Sequence, residues 1–212
     1  MANPFPALLR VYLTGLRVLL VFTVLCGLAY PLLITGIAQL AFSHQANGSQ
    51  LKQGGQVVGS SLLGQNFTLP KKNPADPNEQ PRPDPRWFQP RPSAAGADGY
   101  DAAASGASNL GPNDADLTRT VRERRAAVAA FDGVAPAQVP PDALTASGSG
   151  LDPDISPAYA DEQVQRVARA RGLDPAVVRQ LVDDHRTGRT LGFLGNPRVD
   201  VLALNLALVR LG

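Results

Sequence analysis

The stretch VLLVFTVLCGLAYPLLITGIAQLAF, residues 18–42, runs for 25 residues without a formal charge, and its reading decides how the rest of the chain is taken. A helix needs about 20 apolar residues to cross the hydrocarbon core of a bilayer, so this segment is long enough, with some tilt. Inside lipid the backbone must satisfy its own hydrogen bonds, which predicts helix throughout. Pro31 lacks an N–H and predicts a kink about half-way along. Arg10 and Arg17 are the only charges before Lys52. Both lie on the N-terminal side, so the positive-inside rule places residues 1–17 in the cytoplasm and everything after residue 42 outside it. Ala41-Phe42-Ser43 has the form of a signal-peptidase site, but it follows an apolar run longer than the 7–15 residues or so of a signal peptide. Along the span, Thr23, Gly27, Tyr30 and Gly36 offer surfaces where a partner helix or membrane lipid could pack closely.

Outward from that anchor the composition changes. The 212-residue chain carries 20 basic and 18 acidic residues, a net charge of +2. The excess is Arg10 and Arg17, so the part from residue 43 onward is balanced. That balance argues against nucleic-acid binding. A single Cys excludes an internal disulfide and a Cys-rich zinc site, and two His leave little room for a His-based metal cage. Some 170 residues suffice for one core.

Residues 45–67 are rich in Gly, Ser, Asn and Gln, and Gln56–Gly64 predicts short strands broken by glycine turns. Eight prolines between Pro70 and Pro92 exclude helix and central strand there and predict an extended or flexible segment. Residues 98–112 form a second irregular stretch, rich in Ala, Gly and Ser. Four helices follow. Asn113 or Asp114 caps one that ends at Gly133, with Leu117, Val121, Val128 and Phe131 on one face. Ser156-Pro157 opens a second that ends at Gly172, and Asp174-Pro175 a third that runs to Gly188. Asp200 caps the last apolar run, Val199 to Leu211. The expected architecture is α+β: a single N-terminal transmembrane helix (18–42) followed by one small, loop-rich extracytoplasmic domain (43–212).

No catalytic constellation emerges. Gly54–Ser60 has phosphate-loop glycine spacing without the lysine, and Ser147 stands where the first glycine of a nucleophile elbow belongs. Asp152 and Asp154 lack a glycine-bearing calcium loop, and Asp152-Pro153 reads as a turn. His185, at an acidic helix end, reads as a surface residue. Arg119, Arg122, Arg124 and Arg125 lie on several sides of one helix, which predicts a solvated face or local ion pairs.

The order of motifs resembles a known family. Tyr30-Pro31-Leu32-Leu33, Gln45–Ser49, Gly59–Phe67, Trp87-Phe88, Arg91–Ala94, Ser108–Pro112, Thr145–Pro157, Gln163, Arg166–Ala168, Gly192–Gly195 and Leu204–Leu208 are similar to the C subunits of potassium-transporting ATPases, the KdpC family. The resemblance implies an accessory, non-catalytic subunit of a high-affinity, ATP-driven potassium import complex in a bacterial inner membrane. Its partners in the same complex would be a channel-like, potassium-binding subunit, an ATP-hydrolysing subunit of the P-type class, and a small third subunit that joins them. In that family the C subunit is needed for assembly and is described as a catalytic chaperone that raises the ATP affinity of the hydrolysing subunit. ATP is thus implied for the complex, while the topology of this chain argues against a direct nucleotide site on it. The family's densest motifs make Arg91, Ser93, Asn109, Ser147, Ser149, Asp152, Gln163 and Arg166 the candidates for partner contact outside the membrane. The Pro-rich stretch 69–84 looks longer than the family's usual link and reads as an inserted surface loop, since lengthening a loop costs little entropy. The residues alone also allow a membrane-anchored extracytoplasmic hydrolase, which would need a nucleophile–base pair, or a free binding module released by cleavage.

Overall fold

Pro31 is accommodated by a widened helical turn. In the computed structural model, which describes residues 5–73, 75–76 and 79–211, helix α1 (Phe5–Val24) passes into a π-helical turn, Leu25–Ala29, and then into α2 (Tyr30–Ala41). The Tyr30 N–H reaches back five residues to the Leu25 carbonyl. A proline ring would press on the carbonyl four residues earlier, and one extra residue in the turn relieves that clash. The predicted kink is therefore a π-bulge.

The helix also starts well before Val18. Ala7–Ala41 is one helical run of 35 residues, with an 18-residue window of mean hydropathy 2.3 and none of that window buried. Nothing between Phe5 and Val18 breaks a helix, so the geometry simply continues through Arg10 and Arg17, which fall seven apart and thus on one side. At about 1.5 Å per residue the run exceeds the roughly 30 Å hydrocarbon core. Among the described residues it is the one helix long and apolar enough to cross a membrane. A single turn, α3 (Ser43–Ala46), follows.

The chain divides into two units, 1–49 and 50–212. The second opens with the hairpin β1 (Gln50–Gln53) and β2 (Gln56–Ser60), joined through Gly54 and Gly55. Both glycines have positive φ, as the commonest two-residue hairpin turn requires. Strands β3 (Thr68–Leu69) and β4 (Arg82–Pro83) pair antiparallel and close the Pro-rich loop between them. The Glu79 carboxylate accepts from the backbone N–H groups of Lys72 and Asn73, both at 2.7 Å, and these bonds hold its carboxyl below the usual range. Pro74, Pro77 and Asn78 of that loop lie outside the described residues.

The remaining helices are α4 (Ala115–Asp132), α5 (Pro157–Arg171), α6 (Pro175–Asp184) and α7 (Val201–Val209). Their N-terminal caps are Asp114, Ser156, Asp174 and Asp200, each accepting from a backbone N–H of the first turn. Gly133 and Gly172 end α4 and α5 in the left-handed conformation. Helix α5 buries Tyr159, Ala160, Gln163, Val164, Val167 and Ala168, a stripe at helical spacing. Helix α7 is apolar except at Asn205 and buries Val201, Leu202, Leu204, Asn205 and Leu208. Tyr159, Ala160, Val164, Val167, Ala168, Val201, Leu204 and Leu208 form one core with Phe88, Leu144, Ile155, Val178, Val182 and Val199. Each buried Val, Leu, Ile or Phe among them contributes on the order of 2 kcal/mol.

Two further features depart from the sequence reading. Helix α6 ends at Asp184, not Gly188, because Arg186–Thr187 becomes β6. Val199 and Asp200 belong to β7 (Arg198–Asp200), the middle of an antiparallel sheet ordered β5-β7-β6, with β5 at Asp154–Ile155. After β4 the chain turns inward. Asp84, Phe88 and Gln89 are buried, and Phe88 is fully enclosed.

Candidate functional site

A proline-rich segment cannot offer a regular ladder, so the backbone groups of residues 84–89 must find other partners once buried. Side chains of α5 and α7 supply them. Asn205 accepts from the Phe88 N–H at 2.9 Å and donates to the Phe88 carbonyl at 3.0 Å. Gln163 does the same for Gln89, accepting from its N–H at 2.6 Å and donating to its carbonyl at 3.1 Å. Arg166 donates to the carbonyls of Pro85 and Trp87 at 2.7 and 2.9 Å, and to Gln163 Oε1 at 2.6 Å. Its Nε is 2.5 Å from Asp132 Oδ1, and its guanidinium lies 4.4 Å from the centre of the Phe131 ring. Arg171 stacks on Trp87 at 4.3 Å.

Next to this joint sits an acid in excess. Arg166 and Asp132 neutralise each other, and both are almost wholly buried. The two carboxyl oxygens of Glu162 are shielded from solvent and meet no donor among the described residues. The hydrogen bond open to Glu162 is the one it makes to Asp132 as a protonated acid. Burial and then the Asp132 charge push Glu162 up to about 8.

A second knot ties three loops together. Arg91 Nη1 pairs with Asp152 Oδ2 at 2.8 Å, and the Arg91 carbonyl accepts from the Tyr100 hydroxyl at 2.8 Å. Burial holds the Tyr100 phenol well above its ordinary range. Ser93 Oγ donates to the Gly150 carbonyl at 2.6 Å and accepts from the N–H groups of Ala95 and Tyr100. The Ser149 carbonyl accepts from Gly106 N–H and Ser105 Oγ, while its hydroxyl accepts from Leu151 N–H. Gly150 has φ 69°, and a Cβ there would lie 2.6 Å from the Gly106 carbonyl oxygen. Asp152 Oδ1 accepts from Asp154 N–H, the turn expected at Asp152-Pro153. Desolvation raises Asp154 to about 6 despite its ion pair with Arg198.

The sequence candidates therefore separate into two groups. Arg91, Ser93, Ser147, Ser149 and Asp152 gather around the loop knot, where Arg91 lines three clefts of about 340, 340 and 460 Å³. Gln163 and Arg166 are buried in the joint. Asn109 belongs to neither; it is exposed, with a left-handed φ of 53°. Within the anchor, Thr23 donates to the Leu19 carbonyl, while Gly27 lies in the π-turn that Tyr30 closes. A Cβ added at Gly36 would meet no other side chain within 4 Å among the described residues. Of the α4 arginines, Arg119 pairs with Asp116 and Glu123 as expected of a solvated face. Arg124 instead turns inward to the Leu144 carbonyl, and burial holds it below the usual arginine range.

Asn205, Asp132, Glu162, Gln89 and Tyr100 are the members not singled out as site residues in the sequence. The available signal was on α5, where Gln163 and Arg166 interrupt an apolar stripe three residues apart and so mark an inward-facing polar pair.

Comparison with known proteins bears on all of this. The family model described as "KdpC: K+-transporting ATPase, c chain" matches residues 12–210. A Kineococcus radiotolerans protein is 57% identical, covering 95% of this chain and 94% of its own length. One from Streptomyces coelicolor is 51% identical over 95% of this chain and 93% of its own. A third, from Mycobacterium tuberculosis, is 49% identical over 95% and 99%. All three are named potassium-transporting ATPase KdpC subunit.

Proposed function

Because the chain belongs to the KdpC family of potassium-transporting ATPase C chains, we propose that it is the accessory subunit that assembles and stabilises such a pump without catalysing a step itself. The match over residues 12–210 carries this reading, since it takes in both the anchor and the whole of the second unit. The partners would be the channel-like, potassium-binding subunit, the ATP-hydrolysing subunit and the small third subunit of the same complex. The single helix Ala7–Ala41 suits a bacterial inner-membrane anchor, with Thr23, Gly27, Tyr30 and Gly36 as its packing positions.

The charge pattern supports an N-terminus in the cytoplasm, because Arg10 and Arg17 precede the uncharged run. On that topology the domain from residue 50 onward stands outside and does not meet cytoplasmic nucleotide. ATP enters through the hydrolysing subunit, and any gain in its ATP affinity is transmitted mechanically. The domain covers the outer entrance of the potassium-binding subunit, with the Arg91 knot and its clefts toward the partner. Gln163 and Arg166, being buried, act through the fold.

Topology and assembly are tested separately. A reporter fused at the C-terminal end should be active only outside the cytoplasm; cytoplasmic activity overturns the outer-entrance account. Purification of the tagged full chain should bring down the transport subunits, and a chain that purifies alone would favour the anchored hydrolase or free binding module.

A further inference from the structure

Arg124 of α4 is a half-buried cation without an acid of its own. Among the described residues its hydrogen bond is the one from Nη1 to the Leu144 carbonyl, at 3.0 Å, and burial is the one influence on its charge, with no carboxylate contributing. It lines the cleft of about 340 Å³ between α4 and the Pro-rich segment, a volume in the range of small-molecule sites. Tyr159 of α5 lines the same cleft. It is 4% exposed, its backbone N–H bonds Ser156, and its hydroxyl makes no hydrogen bond among the described residues. Burial holds that phenol well above its ordinary range, so it remains a donor. A buried donor without an acceptor is costly unless a guest supplies one.

The neighbouring groups are already matched. Asn66, Gln89 and Ser93 also line the cleft, but they spend their donors on the carbonyls of Asp98, Phe67 and Gly150. Of the other charges there, Arg91 is paired with Asp152 at 2.8 Å and Asp98 with Lys71 at 3.1 Å. One positive charge is left over, beside an unspent hydroxyl and the apolar wall of Pro90 and Val128.

We propose that this cleft binds a single carboxylate group, with Arg124 as its counter-charge and the Tyr159 hydroxyl as a second donor. One surplus positive charge calls for a monoanion. A guanidinium with one donor spent keeps most of its planar fork for the two oxygens of a carboxylate. Phosphate would bring surplus charge. The carboxylate belongs to a free small acid or to an acidic side chain of a neighbouring subunit, and the site itself does not rest on the pump reading.

Equilibrium dialysis of the full chain in detergent against radiolabelled butyrate, at constant ionic strength, tests this. The wild-type chain should bind butyrate saturably. Butyramide, the uncharged isostere, should not compete, and inorganic phosphate should compete less well than unlabelled butyrate. Arg124→Gln should weaken binding about tenfold or more, and Tyr159→Phe about threefold or more. Tyr159→Phe should keep the wild-type unfolding midpoint, because the hydroxyl has no partner in the fold, and it decides the matter if Arg124→Gln fails to fold. No saturable binding, equal competition by butyramide, tighter binding of phosphate, or wild-type affinity in Tyr159→Phe overturns the proposal. Dialysis of the chain with its co-purified subunits then separates the two sources. Retained binding assigns the cleft to a free acid, and binding blocked there but present in the isolated chain assigns it to a subunit's acidic side chain. If no subunit co-purifies, the pump reading fails and butyrate binding to the isolated chain still decides this one.

Discussion

Asn205 on α7 takes both backbone hydrogen-bonding groups of Phe88, 117 residues earlier in the chain. This fixes a segment that has no strand partner to the centre of the core, so the domain cannot complete its packing until α7 has formed. Asn205→Leu would leave the Phe88 N–H and carbonyl buried and unpaired, costing roughly 2–4 kcal/mol. Urea unfolding of the full chain in detergent measures this directly, because Trp87, the single tryptophan, is the neighbouring residue. A midpoint within error of wild type would contradict the account of the joint.

Glu162 makes stability depend on pH. Its proton is held in the folded state up to about pH 8, whereas an unfolded glutamate releases it near 4.5. Between those values the folded chain binds the extra proton, so stability falls as pH rises through the interval. Asp154, raised to about 6 from 3.8, acts in the same direction over the lower part. Glu162→Gln keeps a donor for Asp132 and removes the titration. It should flatten the fall above pH 6 and leave the variant more stable than wild type at pH 8. The difference should be on the order of 1 kcal/mol once solvent screening is allowed for. Unfolding midpoints from pH 5 to 9 provide the check, and an unchanged slope above pH 6 would remove the shared proton.

Arg91 and Asp152 hold the loop knot together. Either alanine variant should lose about 1–2 kcal/mol. The double exchange, Arg91→Asp with Asp152→Arg, should recover most of that stability because the pair is only half-buried. If this face also meets a partner, the exchange reverses the charges presented there. Potassium-dependent growth should then stay impaired despite restored stability. Full recovery of both would make the pair purely structural.

Gly150 has no room for a methyl group. A Cβ would lie 2.6 Å from the Gly106 carbonyl oxygen, and the positive φ adds strain. Gly150→Ala should cost about 2 kcal/mol or more, whereas Gly148→Ala, which meets nothing within 4 Å, should cost little. Thermal unfolding of the two variants side by side tests whether the Ser147–Gly150 loop is shaped for packing.

What the residues disclosed in advance is uneven for physical reasons. Caps such as Ser156 and Asp200, and stops such as Gly172, are local events, so the helices were legible. The β5-β7-β6 sheet was not: its strands span only two or three residues each, and Val199 reads equally well as the start of the apolar helix that follows. The extent of α1 was hidden by its arginines, which interrupt an apolar count without interrupting a helix. At the site, Arg91 and Arg166 stood out as motif residues. So did Asp152, but not its pairing with Arg91, and Asp132 did not stand out at all, because these partners meet only through contacts 61 and 34 residues apart.

The central claim is that this chain is a required subunit of a potassium-transporting ATPase. Potassium-stimulated ATP hydrolysis by the complex, purified from cells with and without the chain, tests it most directly. The account predicts that without the chain the assembled complex and its stimulated activity are lost, while the chain alone hydrolyses nothing. A complex that assembles and responds fully to potassium without the chain would contradict it.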